Sequence, residues 1–143
     1  MVDASVVVKC IIVEPQSDLA RTLIESAQRL RQRLVAPDVM LLEVAGVIRR
    51  HGRRGDMSPE EVDWVTEQLA SLPVRVVPVR HLWRLAVQCA LCTGASVYDA
   101  AYVVLAAGIG TPLITADAAL VRAVVGTPFA DVAVLLEEWI GCA

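Results

Sequence analysis

The stretch GASVYDAAYVVLAAGIGTPLITAD, residues 94–117, is the most informative part of the chain for the fold. Its apolar pattern predicts a helix over 96–107 and a buried strand at PLITA, residues 112–116, with glycines at the junction. Between Leu85 and Ala116 the only charged side chain is Asp99. A helix that leads into a buried strand is typical of α/β folds, and an isolated carboxylate there needs either water or a positive partner.

The same alternation of strands and helices extends outward from this stretch. Strands are also predicted at residues 2–3, 34–37, 74–79 and 131–136. Helices are predicted after Ser5, from Ser17 as a cap, over 38–50, 58–72 and 81–92, and after Asp117. This order predicts an α/β fold: a three-layer α/β/α arrangement around a central parallel sheet of about five strands, forming a single domain over residues 1–143.

The composition is unusually apolar for a soluble protein. Hydrophobic residues make up 56% of the chain, charged residues only 20%, and the mean hydropathy is +0.57, with a net charge of −3. These values exclude a disordered chain, and the apolar excess predicts a covered parallel sheet together with a surface for a partner.

No signal peptide or membrane span is expected, so the predicted location is the cytoplasm. Cys89 and Cys92 form a CxxC without further ligands, which does not predict a zinc site.

Four acidic side chains stand out from apolar surroundings or follow strands: Asp3, Glu43, Asp99 and Asp117. Each has an alternative structural explanation. The first and last could cap helices, Asp99 could form a capping box with Ser96, and Glu43 could pair with an arginine. Tyr98, the neighbour of Asp99, is expected to pack in the core.

Considered together, the four acids predict one site. In a parallel sheet the carboxyl ends of the strands share an edge, where Asp3 and Asp117 would lie close to the two helical acids. Carboxylates crowded in this way repel one another unless a cation binds them, and oxygen ligands select Mg2+ or Mn2+. Such an ion serves phosphate chemistry, since it neutralises a phosphodiester and lowers the pKa of bound water.

Three blocks of the chain resemble the PIN-domain ribonucleases, particularly the VapC-type toxins. They are VDASVVVK at 2–9, LLEVAGVIRR at 41–50 and SVYDAAYVVLAAGIGTPLITADAAL at 96–120, in the order and spacing of that family. Only Met1 and Val2 precede the first aspartate, fewer residues than in relatives, so a short first strand is expected.

The resemblance implies a role for each matching position. Asp3, Glu43, Asp99 and Asp117 match the family's acidic metal-site positions and would be both metal ligands and catalytic residues. Ser5 and Thr115 match hydroxyls that line the same site. The family implies hydrolysis of single-stranded or looped RNA with Mg2+ or Mn2+, leaving a 5′-phosphate and a 3′-hydroxyl. It also implies a homodimer and an antitoxin whose basic side chain enters the acidic pocket. Glu43 either completes one metal shell or helps to bind a second ion.

Arginines cluster at the end of the helix that carries Glu43. Arg49, Arg50, Arg53 and Arg54 are candidates for contact with the RNA backbone, and a solvated helix end is the alternative. Two other classes of protein share features of this sequence. A receiver-like signalling domain needs a phosphate-accepting acid after the middle strand and a late lysine, yet the only lysine is Lys9. A catalytically idle PIN fold acting as an interaction module remains the main alternative.

Overall fold

Parallel strand pairing organises the fold that a computed structural model gives for residues 1–139. The strands are short: β1 is Leu34–Pro37, β2 is Val74–Val77, β3 is Leu113–Thr115 and β4 is Ala133–Leu135. β1 pairs in parallel with β2, and β3 pairs in parallel with β4. The predicted α/β fold with a parallel sheet is therefore confirmed, although the strands form two short sheets.

The first predicted strand is reduced to a single bridging residue. Val2 forms a parallel bridge with Ile114 of β3, and its amide donates to the carbonyl of Val35 in β1 at 3.1 Å. The amide of Asp3 then donates to the Ile114 carbonyl at 3.3 Å. Val2 thus lies between the two sheets, in the order β2, β1, Val2, β3, β4, and places Asp3 beside the end of β3.

Helices cover these strands in two groups. They are α1 Ala4–Ile11, α2 Ser17–Arg29, α3 Val39–Arg54, α4 Pro59–Ser71, α5 Trp83–Thr93, α6 Val97–Ile109 and α7 Ala118–Val124. α1 packs against α2, α3 and α4, whereas α5 packs against α6. α6 also packs against β1 and β3, and every residue from Ala100 to Ala106 is buried. This burial explains why α6 carries so few charges and why Asp99, in its first turn, is isolated.

The helix boundaries follow local capping chemistry, with three departures from the sequence prediction. Ser58 and Glu61 form the predicted capping box of α4. Ser17 does not cap α2: Gln16 is the N-cap, and the Ser17 hydroxyl instead donates to the Ile12 carbonyl.

The other two departures concern α3 and α5. α3 continues past Arg50 through Gly52, where a Cβ would lie 3.2 Å from Val62 of α4, and it ends at Gly55 with φ 76°. α5 begins at Trp83, after a 3-10 turn over Val79–His81.

Within residues 1–139 no single helix is both long and apolar enough to span a membrane. α5 and α6 together reach that length and composition, but a bend of 108° separates them.

Among the thiols, Cys89 is buried and Cys92 is exposed, whereas Cys142 lies outside the described residues.

Candidate active site

Asp3 caps a helix and also belongs to the candidate active site. It is the N-cap of α1, where its Oδ1 accepts hydrogen bonds from the Val6 amide at 3.1 Å and from the Ser5 hydroxyl at 2.6 Å. Its Oδ2 accepts from the Thr115 hydroxyl at 2.5 Å. The residue is only 6% exposed. The structural explanation by capping is therefore correct for Asp3, but capping uses only one of its two carboxylate oxygens.

Burial raises the pKa of the Asp3 carboxyl to about 6. Its hydrogen bonds from Ser5, Thr115 and Val6 act in the opposite direction, and the negative charge of Asp117 raises the pKa further. Asp3 and Asp117 are therefore close enough to repel each other.

Ser5 and Thr115 connect the start of α1 to the end of β3. The Ser5 hydroxyl accepts from the Ala116 amide at 2.8 Å and lies 3.5 Å from the Thr115 hydroxyl. The Thr115 hydroxyl is fully buried and accepts from the Asp117 amide at 2.9 Å. Both hydroxyls thus contact Asp3 and hold the adjoining backbone in place.

Asp117 is the N-cap of α7, so the alternative explanation of this residue as a helix cap is also correct. Its Oδ1 accepts from the amides of Ala119 at 2.7 Å and Leu120 at 3.4 Å. The residue itself is exposed. A carboxylate held by backbone donors at a helix start, while open to water, can still accept a further ligand through its second oxygen.

Glu43 has a hydroxyl partner and not an arginine. The Tyr102 hydroxyl of α6 donates to Glu43 Oε2 at 2.5 Å. Burial raises the pKa of Glu43, the bond from Tyr102 lowers it, and the charge of Asp99 raises it. Glu43 and Asp99 are thus a second electrostatically coupled pair of acids.

Asp99 lies in the first turn of α6 and is partly exposed. Its amide donates to the Ser96 hydroxyl at 3.0 Å, and this hydroxyl donates to Asp99 Oδ2 at 2.7 Å. Half of the proposed capping box is present, because Ser96 caps α6 while the Asp99 carboxylate bonds the serine side chain and not its amide.

Tyr102 is the site residue that the sequence prediction missed. It is 1% exposed, and burial together with the Glu43 carboxylate raises the pKa of its hydroxyl far above the usual range. The charge of Asp3 also contributes to that shift, so the negative charges of both Glu43 and Asp3 act on the Tyr102 hydroxyl. Tyr98, which was predicted to be in the core, is 61% exposed. The spacing of three residues from Asp99 to Tyr102, on one face of a helix, was the available signal.

Electrostatics links the four acids as two pairs, Asp3 with Asp117 and Glu43 with Asp99. Within residues 1–139 no three side chains of Asp, Glu, His or Cys lie close enough together to hold an ion. In the same range none of the four acids forms an ion pair with a cationic side chain. The donor set, four carboxylates bordered by hydroxyls, nevertheless fits the oxygen chemistry that Mg2+ and Mn2+ select.

The basic residues lie at the far end of α3. Arg49, Arg50, Arg53 and Arg54 are all exposed, and within the described part of the chain none of their guanidinium groups forms an ion pair. The structure thus leaves these four guanidinium groups accessible to an anionic ligand.

Comparisons with known proteins agree with this architecture. The family model of the PIN domain matches residues 1–125. Ribonuclease VapC3 of Pyrobaculum aerophilum is 34% identical over 82% of this chain and 88% of its own length. Ribonuclease VapC12 of Mycobacterium tuberculosis is 37% identical over 85% of this chain and 89% of its own.

A solved structure supports the fold alone. The crystal structure of PAE2754 from Pyrobaculum aerophilum superposes with a TM-score of 0.70 at 19% identity, covering 95% of this chain and 82% of that one. The family match and the two relatives show that the chain belongs to the PIN-domain family and, within it, to the VapC type.

Proposed function

We propose that this protein is a metal-dependent endoribonuclease that hydrolyses phosphodiester bonds in single-stranded or looped RNA, as the toxin of a toxin–antitoxin pair. The two relatives named Ribonuclease VapC support the ribonuclease activity. The observation that carries the metal dependence is the set of two coupled acid pairs without any cationic side-chain partner among residues 1–139.

Asp3, Glu43, Asp99 and Asp117 are the residues that would hold Mg2+ or Mn2+. The ion would neutralise the phosphodiester and lower the pKa of a bound water. Both carboxylate oxygens of Asp3 already accept hydrogen bonds from hydroxyls, so Ser5 and Thr115 fix the direction in which this carboxylate points. Tyr102 fixes Glu43 in the same way.

Phosphate contact by the arginines of α3 would add to this site. Single-stranded binding commonly combines a basic surface with aromatic stacking, yet aromatic residues make up only 4% of this chain. We therefore expect the backbone of the RNA, more than its bases, to supply the affinity.

Cleavage of a mixed RNA pool that includes tRNA and rRNA tests this proposal. The wild type is compared, with Mg2+ or Mn2+, with Asp99→Asn and with Asp63→Asn, which removes an exposed aspartate of α4. Circular dichroism must show all three to be folded. We expect discrete fragments from the wild type and Asp63→Asn, none from Asp99→Asn, and none in EDTA.

Two outcomes would contradict the proposal. Equal cleavage by Asp99→Asn would show that Asp99 only caps α6 or that the activity is a contaminant. No cleavage by any protein would favour the alternative, a catalytically idle PIN fold acting as an interaction module.

The same proposal includes protein partners and a location in the cytoplasm, where its RNA substrate lies. An antitoxin would insert a basic side chain among the four acids. A homodimer would cover apolar side chains that α5 and α6 leave exposed, among them Trp83, Leu91 and Tyr98, which are 55%, 83% and 61% exposed. Sedimentation equilibrium tests the dimer, and a monomeric mass at micromolar concentration would contradict it.

A further inference from the structure

One face of α3 connects the candidate active site to its basic end. With about 100° of rotation per residue, Arg50 and Arg54 lie within about 20° of the line that runs along the helix from Glu43. At a rise of about 1.5 Å per residue they follow Glu43 by about 10 and 16 Å. The two arginines therefore extend away from the site in a row.

The core fixes the rotation of this helix. Met40, Val44 and Ile48 are buried, so the opposite side of α3 faces solvent and the row lies along the boundary between them. Arg49 and Arg53 lie about 120° and 80° around the axis from Glu43, on the solvent side. The four arginines thus form two pairs of equal charge on different faces of one helix.

Gly46 borders this row between Glu43 and Arg50. It has a negative φ in the interior of a helix, where glycine is a poor helix former, so no turn requires it. A Cβ built at this position would meet no atom within 4 Å outside its chain neighbours and the backbone of its own helix, so close packing does not require glycine either. The absence of a side chain leaves open space on the exposed surface of α3 beside Glu43.

We propose that bound RNA runs from the acid pairs along α3, with its sugar–phosphate backbone passing over Gly46 and its phosphates paired with Arg50 and Arg54. Gly46, Arg50 and Arg54 are called the α3 track. This inference rests on the proposed function, because it assumes that RNA is the substrate. Phosphate contacts of this kind position a strand without reading its bases.

Salt-dependent RNA binding tests the track. A labelled single-stranded oligonucleotide is titrated by fluorescence anisotropy, in Mg2+, against proteins carrying Asp99→Asn to prevent cleavage. The double variant Arg50→Gln/Arg54→Gln is compared with the matched double variant Arg49→Gln/Arg53→Gln. Loss of two phosphate contacts should reduce the slope of log affinity against log salt by about 1.4 in the first pair, at about 0.7 per contact. The slope of the second pair should not change.

A glycine substitution tests the other part of the track. Gly46→Ala should raise the melting temperature, since alanine favours the helix, and yet weaken RNA binding, since its methyl group occupies the open space. Gly108→Ala is the matched control, because Gly108 is also a helical glycine whose Cβ would meet nothing within 4 Å. The control should gain stability without losing RNA affinity.

The outcomes separate failure of the track from failure of the proposed function. Equal salt slopes for the two arginine pairs, or a larger change for Arg49 and Arg53, would overturn the track while wild-type cleavage of RNA continued. Undiminished RNA affinity in Gly46→Ala would likewise overturn the passage over that glycine. A wild type that neither binds nor cleaves RNA would overturn both the track and the ribonuclease proposal.

Discussion

Asp3 is the acid of this site whose protonation depends most strongly on burial. An aspartate in the unfolded chain titrates near pH 4, whereas burial raises the pKa of Asp3 to about 6 in the folded protein. Between these values the folded state holds a proton that the unfolded chain has lost. The stability contributed by this proton is therefore fully present below about pH 4 and is lost as the pH rises through 6.

For the metal-free protein, Asp3→Asn should remove this pH dependence. The wild type should lose about 2 kcal/mol of its free energy of unfolding between pH 4 and 7 from this residue, at about 1.4 kcal/mol per pKa unit. The asparagine variant keeps a side chain that can cap α1 and carries no charge. Urea unfolding at several pH values in EDTA measures the difference, with Asp63→Asn as control. If the free energy of unfolding changes with pH in the same way in the wild type and Asp3→Asn, the raised pKa of Asp3 is contradicted.

Tyr102 should act through Glu43. Its hydroxyl lowers the pKa of that carboxyl, so Tyr102→Phe should raise it and move the acid limb of the rate–pH profile for RNA cleavage to higher pH. Tyr98→Phe, on the same helix but exposed, is the control and should leave the profile unchanged. If the acid limb of the profile stays at the same pH in Tyr102→Phe, the bond from Tyr102 to Glu43 is only structural.

Among the helices, the start of α6 has both a stabilising and a functional role. The Ser96 hydroxyl caps the helix and also donates to Asp99, whereas the Ser58 hydroxyl caps α4 with Glu61, which is not one of the site acids. Ser96→Ala and Ser58→Ala should each cost about 1 kcal/mol of the free energy of unfolding. Only Ser96→Ala should also slow RNA cleavage, because it releases the Asp99 carboxylate. Full activity in folded Ser96→Ala would contradict this role.

Helix boundaries were predictable from the sequence where a side chain bonds its own helix. Ser58 with Glu61, and Asp117 with the amides that follow it, are local interactions that four or five residues determine. Ser17 was predicted wrongly as a cap because its hydroxyl bonds the preceding loop, at Ile12, and the left-handed Gln16 takes the cap position instead. At Gly52 of α3 an added Cβ would lie 3.2 Å from Val62 of α4, a tertiary packing constraint that the local sequence does not reveal.

At the scale of the whole molecule, the order of strands and helices was predictable, whereas the hydroxyl partner of Glu43 was not. Alternating apolar segments predicted a parallel sheet, whereas the position of Val2 beside β3 is known only from the structure. Tyr102 resembles the other apolar positions of α6, because nothing in the sequence shows that its hydroxyl bonds Glu43 of α3. Asp3 and Thr115 are 112 positions apart in the chain, and only the resemblance to the PIN family placed them at one site before their bond was seen.

The central claim of this account is that both acid pairs bind one class of ligand, a divalent cation. Mn2+ binding followed by electron paramagnetic resonance at pH 7.5 tests it most directly, in the wild type, Asp117→Asn and Glu43→Gln, with Asp63→Asn as control. We predict saturable binding by the wild type and the control, and binding at least about tenfold weaker, a loss of about 1.4 kcal/mol, when either pair is altered. Equal Mn2+ affinity in all four proteins would contradict the account.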